Sequence, residues 1–423
     1  MAGSDGPDAV HGTAPRRNAL KLLAAGTGLA LAAPAIVRAA EGGAASMITH
    51  QERHPDPASL KATEAGLDAI AADFNAMLVE GLHKTAALAV YRDGELLISL
   101  VGGTIVPTGA PASSDTLFQI RSTTKALAVM TMLQAYDRGR YAFDDPVAKH
   151  WPEFAANGKE GVTIAHVLSH RAGLPDGPNV TAAQMGDPAA VAKAIEAMSP
   201  VWPPGTENGY HASTIGWISD ELLRRWEGAN VSALLRRDIL DPLGVKDVYI
   251  GLPPKEYPRM THMEVSPRTR ERQGSRAVFS DFLNTPQGIG LPLSWVGGMT
   301  TAPELAKVMS MLAFDGTVDG RRYIEAATLD KACVPTNPPD YVDQRLNFPV
   351  RWGLGFILGL TPEMFGAVPR PRAFGHAGGG APYAFADRDA RIGVAFLCNY
   401  MVGRESWTRY QRVSDAVYGA LKG

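Results

Sequence analysis

Two pairs of short apolar segments, one pair near each end of the 423-residue chain, constrain the fold most. Segments 86–91 and 96–101 are separated by a short polar stretch that contains Asp93-Gly94, and Asp-Gly between two apolar runs is typical of a β-hairpin. Segments 382–386 and 392–397 flank a second polar stretch in the same way. The sequence therefore predicts two hairpins, built from opposite ends of the chain.

Each predicted hairpin has an amphipathic helix beside it. Residues 56–79 carry apolar side chains at helical spacing, and so do residues 405–421, where Trp407, Tyr410 and Val413 belong to the pattern. A helix and a hairpin at the start, with a hairpin and a helix at the end, predict one antiparallel sheet covered by the terminal helices. The expected fold class is α+β.

The middle of the chain, about residues 121–290, is rich in helical periodicity. Residues 122–136 are apolar almost all round, which predicts a buried helix. Asp187 followed by Pro188 is a typical N-cap and first residue for a helix at 188–197. Mixed charge and weak periodicity predict a loop with little regular structure between 253 and 287. Further helices are predicted at 164–169, 214–226 and 231–239.

The composition limits the partners and covalent links of the chain. The formal net charge is −2 and no basic cluster occurs, which argues against a nucleic-acid partner, because such binding needs a concentrated basic surface. The two cysteines are Cys333 and Cys398. One disulfide is arithmetically possible, but the apolar run around Cys398 favours two free, buried thiols.

The first 40 residues have the features of an export signal. Arg16-Arg17 precedes an apolar stretch that is shorter than the ~20 residues needed to span a bilayer, and small residues follow it. The paired arginines resemble a twin-arginine signal. We therefore expect removal of residues 1–39 by cleavage after Ala39, or else after Ala35 or Ala40, and a periplasmic or secreted protein without stable membrane insertion. An uncleaved membrane anchor is the alternative.

Ser122 and Lys125, in Ser122-Thr123-Thr124-Lys125, lie at the start of the predicted buried helix, so their side chains share one face. A serine hydroxyl becomes nucleophilic when a base takes its proton, and burial lowers the pKa of a lysine so that it can be that base. The N–H groups at a helix start point outward, where that of Ser122 would face an oxyanion. Ser-x-x-Lys also occurs by chance, and the alternative is an N-cap serine with a solvated lysine.

Two further segments favour the catalytic interpretation. Gly209-Tyr210-His211-Ala212 precedes the predicted helix at 214–226, and Phe374-Gly375-His376-Ala377-Gly378-Gly379-Gly380 precedes the last hairpin. A glycine run of this kind permits close approach of the backbone to a ligand.

As a set, these segments resemble the serine β-lactamase and penicillin-recognising family, in its class C and family VIII carboxylesterase branch. Ser122-Thr123-Thr124-Lys125 matches the first motif of that family. Tyr210-His211-Ala212 lies where the family has Tyr-x-Asn or Tyr-x-Ser, and His376-Ala377-Gly378 lies where it has Lys-Thr-Gly, His-x-Gly or Trp-x-Gly. The resemblance covers about residues 58–420 and keeps the order and spacing of the motifs.

The resemblance implies a β-lactamase-like three-layer sandwich, an antiparallel sheet flanked by helices, formed by residues 46–120 and 291–423. It also implies an inserted, mostly helical domain, residues 121–290, that carries the nucleophile helix. The active site is expected between the two domains, with no cofactor and no metal.

The resemblance also implies roles for individual residues. Ser122 is expected to attack the carbonyl of an ester or amide and form an acyl-enzyme, while Lys125 and Tyr210 move its proton. Tyr210 beside a Lys125 ammonium is expected to have a lowered phenol pKa and to protonate the leaving group. The oxyanion is expected between the N–H groups of Ser122 and Gly379.

His376, Gly378 and His211 are the expected substrate-binding residues, and two departures from the family pattern bear on the substrate. Ala212 has no amide for the acylamino side chain of a β-lactam, and His376 is mostly neutral at pH 7 where the family has a lysine for the β-lactam carboxylate. Each lost contact weakens binding by about 1–3 kcal/mol. We therefore expect a carboxylesterase for short-chain or small esters, with weak or no β-lactamase activity.

Several alternatives share this machinery. They are a β-lactamase, a D,D-peptidase, a small-amide hydrolase or an acyltransferase, and a non-catalytic peptidoglycan- or penicillin-binding relative belongs to a different class. His166 and His170 lie four residues apart, but no His-Glu-x-x-His pattern or third ligand accompanies them, so packing at a helix end is favoured over zinc. Gly353-Leu354-Gly355 lacks the context of a nucleotide-binding loop, and no Gly-x-Ser-x-Gly elbow is present.

Overall fold

The computed structural model describes residues 46–421 apart from Ala367, Ala381 and 403–405. The predicted export signal, residues 1–39, lies outside the described residues. Within the described part of the chain, no helix combines the length and apolar character needed to cross a membrane.

The strands of the described residues form one large antiparallel sheet and three smaller sheets. Their bounds are β1 Ile48–Arg53, β2 Thr85–Arg92, β3 Glu95–Gly103, β4 Leu117–Gln119, β5 Val248–Ile250, β6 Met260–Thr261, β7 Glu264–Val265, β8 Gly298–Thr300, β9 Thr317–Val318, β10 Arg321–Arg322, β11 Ile357–Leu358, β12 Ala373–Ala377, β13 Tyr383–Asp387, β14 Ile392–Cys398 and β15 Tyr400–Met401.

The large sheet joins the two ends of the chain and contains both predicted hairpins. Its strand order is β1-β3-β2-β14-β13-β12-β11, so β2 pairs with β14 in the middle and Val90 lies opposite Val394. Asp93 and Gly94 in the first turn have φ values of 50° and 88°, which are the positive values that a two-residue type I′ turn requires. The prediction of one antiparallel sheet from both chain ends is confirmed.

Some helices cover the two faces of this sheet, and others belong to the middle of the sequence. Their bounds are α1 Glu64–Val79, α2 Thr124–Asp137, α3 Val147–His150, α4 Ile164–Leu168, α5 Pro188–Glu196, α6 Thr214–Glu227, α7 Val231–Leu235, α8 Pro267–Gln273, α9 Ser275–Phe282, α10 Pro286–Gly290, α11 Ala302–Ala313, α12 Ala326–Ala332, α13 Pro362–Phe365 and α14 Ser406–Ala420.

Strand alternation gives the sheet two buried faces. Leu88 and Val90 of β2 pack in one core with α1 and α14, whereas Ala87 and Ala89 point into the other core, which contains α11. Small residues on that face let α11 lie close to the sheet: a Cβ at Gly393 would come within 2.4 Å of the Ala306 carbonyl oxygen. The resulting arrangement of terminal helices, sheet and α11 confirms the predicted three-layer α+β sandwich.

Several predicted helices are confirmed, with shorter bounds. Asp187 caps α5 by accepting hydrogen bonds from the backbone N–H groups of Ala189 and Ala190. The helix predicted at 56–79 begins only at Glu64, because Thr63 is its N-cap and accepts from the Gly66 N–H. Cys333 and Cys398 are both free.

The prediction of a loop at 253–287 is wrong. This segment contains the 3₁₀ turn Pro254–Arg259 and helices α8, α9 and part of α10. Two of these helices start with a capping side chain followed by proline: Ser266 accepts from Thr269 and Thr285 accepts from Gly288. Helices of five to eight residues span about two turns, which is too short for a periodic apolar pattern to be recognised.

The predicted domain boundaries at residues 121 and 290 stay a prediction. A four-stranded sheet with the order β5-β8-β4-β6 combines segments from both sides of those boundaries. This small sheet matters for function because β4 leads directly into the turn that carries Ser122.

Candidate active site

Ser122 lies in a single 3₁₀ turn, Arg121–Thr123, between β4 and the buried helix α2. Arg121 has a φ of 50°, a left-handed conformation that is costly for a residue with a side chain. Thr124 stabilises the turn: its hydroxyl donates to the Arg121 carbonyl at 2.5 Å and accepts from the Gly298 N–H at 2.9 Å. The α-helix therefore begins at Thr124 rather than at Ser122 as predicted, and the serine precedes it on a fixed turn.

Lys125 lies against Ser122, as the sequence predicted. Its Nζ is 3.2 Å from Ser122 Oγ and 2.9 Å from the carbonyl oxygen of Trp295. The side chain is 1% exposed, and burial lowers the pKa of Lys125 well below its usual value of 10.5. No carboxylate contacts it among the described residues, so nothing there offsets the cost that burial imposes on the charged form.

Tyr210 lies over the same lysine. Lys125 Nζ is 5.0 Å from the centroid of the Tyr210 ring, and that ring stacks on Trp352 with an interplanar angle of 9°. The backbone N–H of Tyr210 donates to Asp343 Oδ1 at 3.0 Å, and the indole N–H of Trp352 donates to Asp343 Oδ2 at 3.0 Å. One buried carboxylate thus fixes both the tyrosine backbone and the ring on which the tyrosine stacks.

The expectation of a lowered pKa for Tyr210 is wrong. Burial raises the pKa of its phenol above the usual value of 10, and the nearby Ser122 hydroxyl offsets this only in part. The Tyr210 hydroxyl has no partner of good hydrogen-bond geometry within the described part of the chain. The expectation assumed a charged lysine beside the ring, whereas Lys125 is buried and its neutral form is favoured. Tyr210 is therefore a neutral phenol in this site.

His211 does not contact the reactive groups with its side chain. Its Nδ1 is 2.6 Å from the carbonyl oxygen of Gly209, and its Nε2 accepts from the Leu174 N–H at 2.9 Å. Burial lowers the pKa of His211 to about 4, so the ring is neutral. Both ring nitrogens are occupied by backbone groups, and the predicted role of His211 in binding substrate stays a prediction. The ring fixes the segment that presents Tyr210.

His376, at the end of β12, is buried close to Lys125. Its Nδ1 is 2.8 Å from the Ala377 carbonyl oxygen, which can only accept, so Nδ1 carries the proton and Nε2 is an acceptor. Nε2 has no partner among the described residues. Burial, with a smaller contribution from Lys125, lowers the pKa of His376 to about 3. The site therefore has a neutral acceptor where a cation would be needed to attract a carboxylate.

The glycines after His376 lie against the turn that carries Ser122. A Cβ at Gly378 would lie 2.5 Å from the Ile120 carbonyl oxygen, so only glycine permits this approach. Thr123 Oγ1 lies 3.3 Å from the His376 carbonyl oxygen, which joins the turn to β12 from the other side. No backbone acceptor within the described ranges receives the N–H of Gly379. The predicted oxyanion donor is thus on the strand end that contacts the nucleophile turn.

Aromatic side chains that the sequence did not single out lie beside Lys125. Trp295 stacks on Phe279 with ring centroids 5.4 Å apart, and Trp217 lies 6.1 Å from Trp295. Lys125 Nζ is 5.8 Å from the Trp295 ring, so this aromatic cluster is next to the reactive groups. Phe279 belongs to α9, within the segment predicted to be a loop, and for that reason periodicity did not indicate it.

The histidine pair His166 and His170 has structural contacts. His166 belongs to a capping box with Thr163 at the start of α4, and His170 Nδ1 accepts from the His211 N–H at 3.1 Å. Over the residues that the structure describes, no group of three or more His, Cys, Asp or Glu side chains is arranged to hold a metal ion.

Comparisons with known proteins identify the family and the fold of the chain. The Beta-lactamase family model matches residues 64–417. The chain is 27% identical over 338 residues to a protein of Mycobacterium tuberculosis named esterase/beta-lactamase LipL, covering 75% of this chain and 77% of that protein.

Two crystal structures share the fold, each at 31% identity over 88% of this chain and 100% of the other. One is a penicillin-binding protein homologue from Caulobacter crescentus, with a TM-score of 0.76. The other is described as a family VIII carboxylesterase, with a TM-score of 0.73.

Proposed function

This chain belongs to the Beta-lactamase family, in which it is a serine hydrolase, and we propose that it hydrolyses small or short-chain esters through an acyl-enzyme on Ser122. The observation that supports this assignment most is the 3.2 Å approach of Lys125 Nζ to Ser122 Oγ in a buried site. A buried, neutral amine at that distance is a general base for the serine hydroxyl. A lysine with only a structural role at the helix start would extend into solvent, whereas Lys125 is 1% exposed.

Acylation follows from the contacts of these groups. The Ser122 proton passes to Lys125 Nζ as Oγ bonds to the ester carbonyl carbon, and the resulting oxyanion accepts from the N–H groups of Ser122 and Gly379. Lys125, now an ammonium, returns the proton through the neutral phenol of Tyr210 to the alkoxide that leaves. The phenol gives one proton and receives one, so Tyr210 is unchanged at the end of the step.

In deacylation the proton moves in the opposite direction, toward Ser122 Oγ. Water attacks the acyl carbon and gives its proton to the same base, and Ser122 Oγ recovers a proton as the carboxylic acid is released. Burial disfavours the charged forms of both Lys125 and Tyr210, which favours return of the site to its starting state at the end of the step.

The proposed substrate preference rests on three features of the chain. Ala212 is exposed and has no polar side-chain atom for an acylamino group, and His376 is a neutral acceptor that gives a carboxylate no attraction. The aromatic cluster of Trp295 and its neighbours offers apolar surface to an acyl chain instead. These features support esters over penicillins, and the names of the relatives, which include both esterase and beta-lactamase, fit the same proposal.

We also propose that the enzyme works outside the cytoplasm, after export and loss of residues 1–39. The Arg16-Arg17 pair and the apolar stretch behind it support this. N-terminal sequencing of protein recovered from the periplasm would test it, with Glu41 expected near the new N-terminus for cleavage after Ala39 or Ala40.

A substrate panel tests the proposed activity. Wild type and Ser122→Ala are assayed with p-nitrophenyl esters of rising chain length, with nitrocefin and with a D-Ala-D-Ala peptide. We expect the highest kcat/KM on a short ester and loss of activity in Ser122→Ala. A higher turnover on nitrocefin would assign a β-lactamase, and absence of fluorophosphonate labelling of the wild type would refute a serine hydrolase.

A further inference from the structure

The C-terminal helix α14 makes a polar contact with the strand end that holds the proposed oxyanion donor. Tyr410, on this helix, is 2% exposed, and its hydroxyl donates to the carbonyl oxygen of Gly378 at 3.1 Å. That carbonyl and the N–H of Gly379 belong to one peptide unit. A trans peptide is planar, so the direction of its carbonyl also determines the direction of its N–H.

This peptide unit needs an external constraint. It is flanked by Gly378 and Gly379, and Gly380 follows with a φ of 94°. Glycine has no side chain that limits φ and ψ, so a peptide between two glycines rotates at little energetic cost. The unit before it is fixed differently, because the Gly378 N–H donates to the Pro382 carbonyl oxygen at 2.6 Å.

We propose that Tyr410 is a positioning residue for catalysis, which orients the Gly378–Gly379 peptide so that the Gly379 N–H points at the oxyanion. This inference rests on the proposed function. Tyr410 does not touch substrate in this arrangement; it acts through the carbonyl at the opposite end of the donor peptide. A hydrogen bond to that carbonyl also polarises the amide and strengthens the N–H as a donor.

The hydroxyl of Tyr410 can be removed by substitution while the ring keeps its place in the core. The ring packs in the core between the sheet and the terminal helices. Tyr383 offers a matched control, since its ring lies 5.0 Å from that of Tyr410 and it is 0% exposed. The Tyr383 hydroxyl donates to the Met364 carbonyl oxygen at 2.9 Å, on α13 rather than at the strand end with Gly379.

The test compares Tyr410→Phe with Tyr383→Phe. Both variants remove one buried hydroxyl from the same core, so both lower the melting temperature. We expect only Tyr410→Phe to lower kcat on p-nitrophenyl acetate, by about tenfold, with KM within about twofold of the wild type, because removal of an oxyanion donor costs about 10²–10³ in kcat and this change weakens rather than removes one. Phosphonylation of Ser122 by a fluorophosphonate is expected to slow by a similar factor.

Three outcomes would overturn the inference. The first is a Tyr410→Phe enzyme with kcat within about twofold of the wild type, and the second is an equal loss of kcat in Tyr383→Phe, which would indicate general loosening of the core. The third is absence of Ser122-dependent labelling in the wild type, which would overturn the proposed function as well. Labelling of the wild type therefore separates failure of this inference from failure of the proposed function.

Discussion

Replacement of Lys125 by methionine tests the electrostatic basis of the proposed mechanism. Methionine is similar in length and is apolar, so it fills the buried space without a titratable group. The variant loses the base for Ser122, and we expect kcat/KM to fall by about 10²–10⁴-fold. The same change is expected to alter how stability depends on pH, in a direction that follows from the lowered pKa of Lys125.

Burial lowers the folded-state pKa of Lys125 well below 10.5, the usual value, which the unfolded chain keeps. At pH values between the folded-state pKa and the unfolded-state pKa, this lysine therefore binds a proton in the unfolded chain but not in the folded protein. Wild-type stability therefore rises with pH in this window by about 1.4 kcal/mol per pH unit from this group alone. Within this window the wild type gains stability with pH relative to Lys125→Met, which has no group to titrate there.

Urea denaturation of both proteins at several pH values measures this difference. The hydrogen bonds that Lys125 makes to Ser122 and Trp295 contribute an offset that does not vary with pH in the window, so the slope isolates the titration. Lys255→Met, at a side chain that is 80% exposed, is the control and should parallel the wild type. Parallel pH dependence of Lys125→Met and wild type would refute the assignment of Lys125 as a buried, neutral base.

Two further substitutions test how the site is held together. Gly378→Ala places a Cβ 2.5 Å from the Ile120 carbonyl oxygen and must move β12 from the nucleophile turn, so kcat/KM on p-nitrophenyl acetate should fall by about 10²-fold. Gly161→Ala, which meets no atom within 4 Å, should retain wild-type activity, and equal rates for the two variants would contradict the argument. Asp343→Asn replaces a carboxylate oxygen by an NH₂ group, which cannot accept from N–H donors such as the indole of Trp352. We expect this variant to lose about 1–3 kcal/mol in free energy of unfolding and to lose activity as well. An unchanged urea midpoint would show that Asp343 does not fix this region.

The sheet could be predicted from the sequence because its signals are local. Asp93-Gly94 between apolar runs specifies a tight turn, and strand alternation specifies two faces. The buried helix α2 was likewise evident from apolar residues all round it. In each case a stretch of about 15 neighbouring residues carries the signal.

The helices at 253–287 could not be predicted, because their signals are as short as the helices themselves. Ser266 and Thr285 are N-caps, but an isolated serine or threonine before proline is also common in turns. Their formation depends on packing, as shown by Phe279 against Trp295.

Motif spacing predicts Ser122, Lys125 and Tyr210 as the reacting groups, and the structure brings them together. It indicates neither the residues that support them nor their ionisation. Asp343 supports Tyr210 from 133 residues away along the chain, and no local pattern marks such a contact. The raised pKa of Tyr210 depends on complete burial, which only the three-dimensional structure shows.

The pairing of β2 with β14 has a consequence for biosynthesis. Thr85 and Asn399 are hydrogen-bonded neighbours although 314 residues separate them, so the central strand pair of the sheet closes only when the C-terminal segment has been translated. Ser122 and Lys125 leave the ribosome more than 200 residues before β12, Gly379 and Tyr410. A nascent chain therefore carries the nucleophile and its base before the second oxyanion donor, and the full set of groups is brought together only after β12 and β14 have been made.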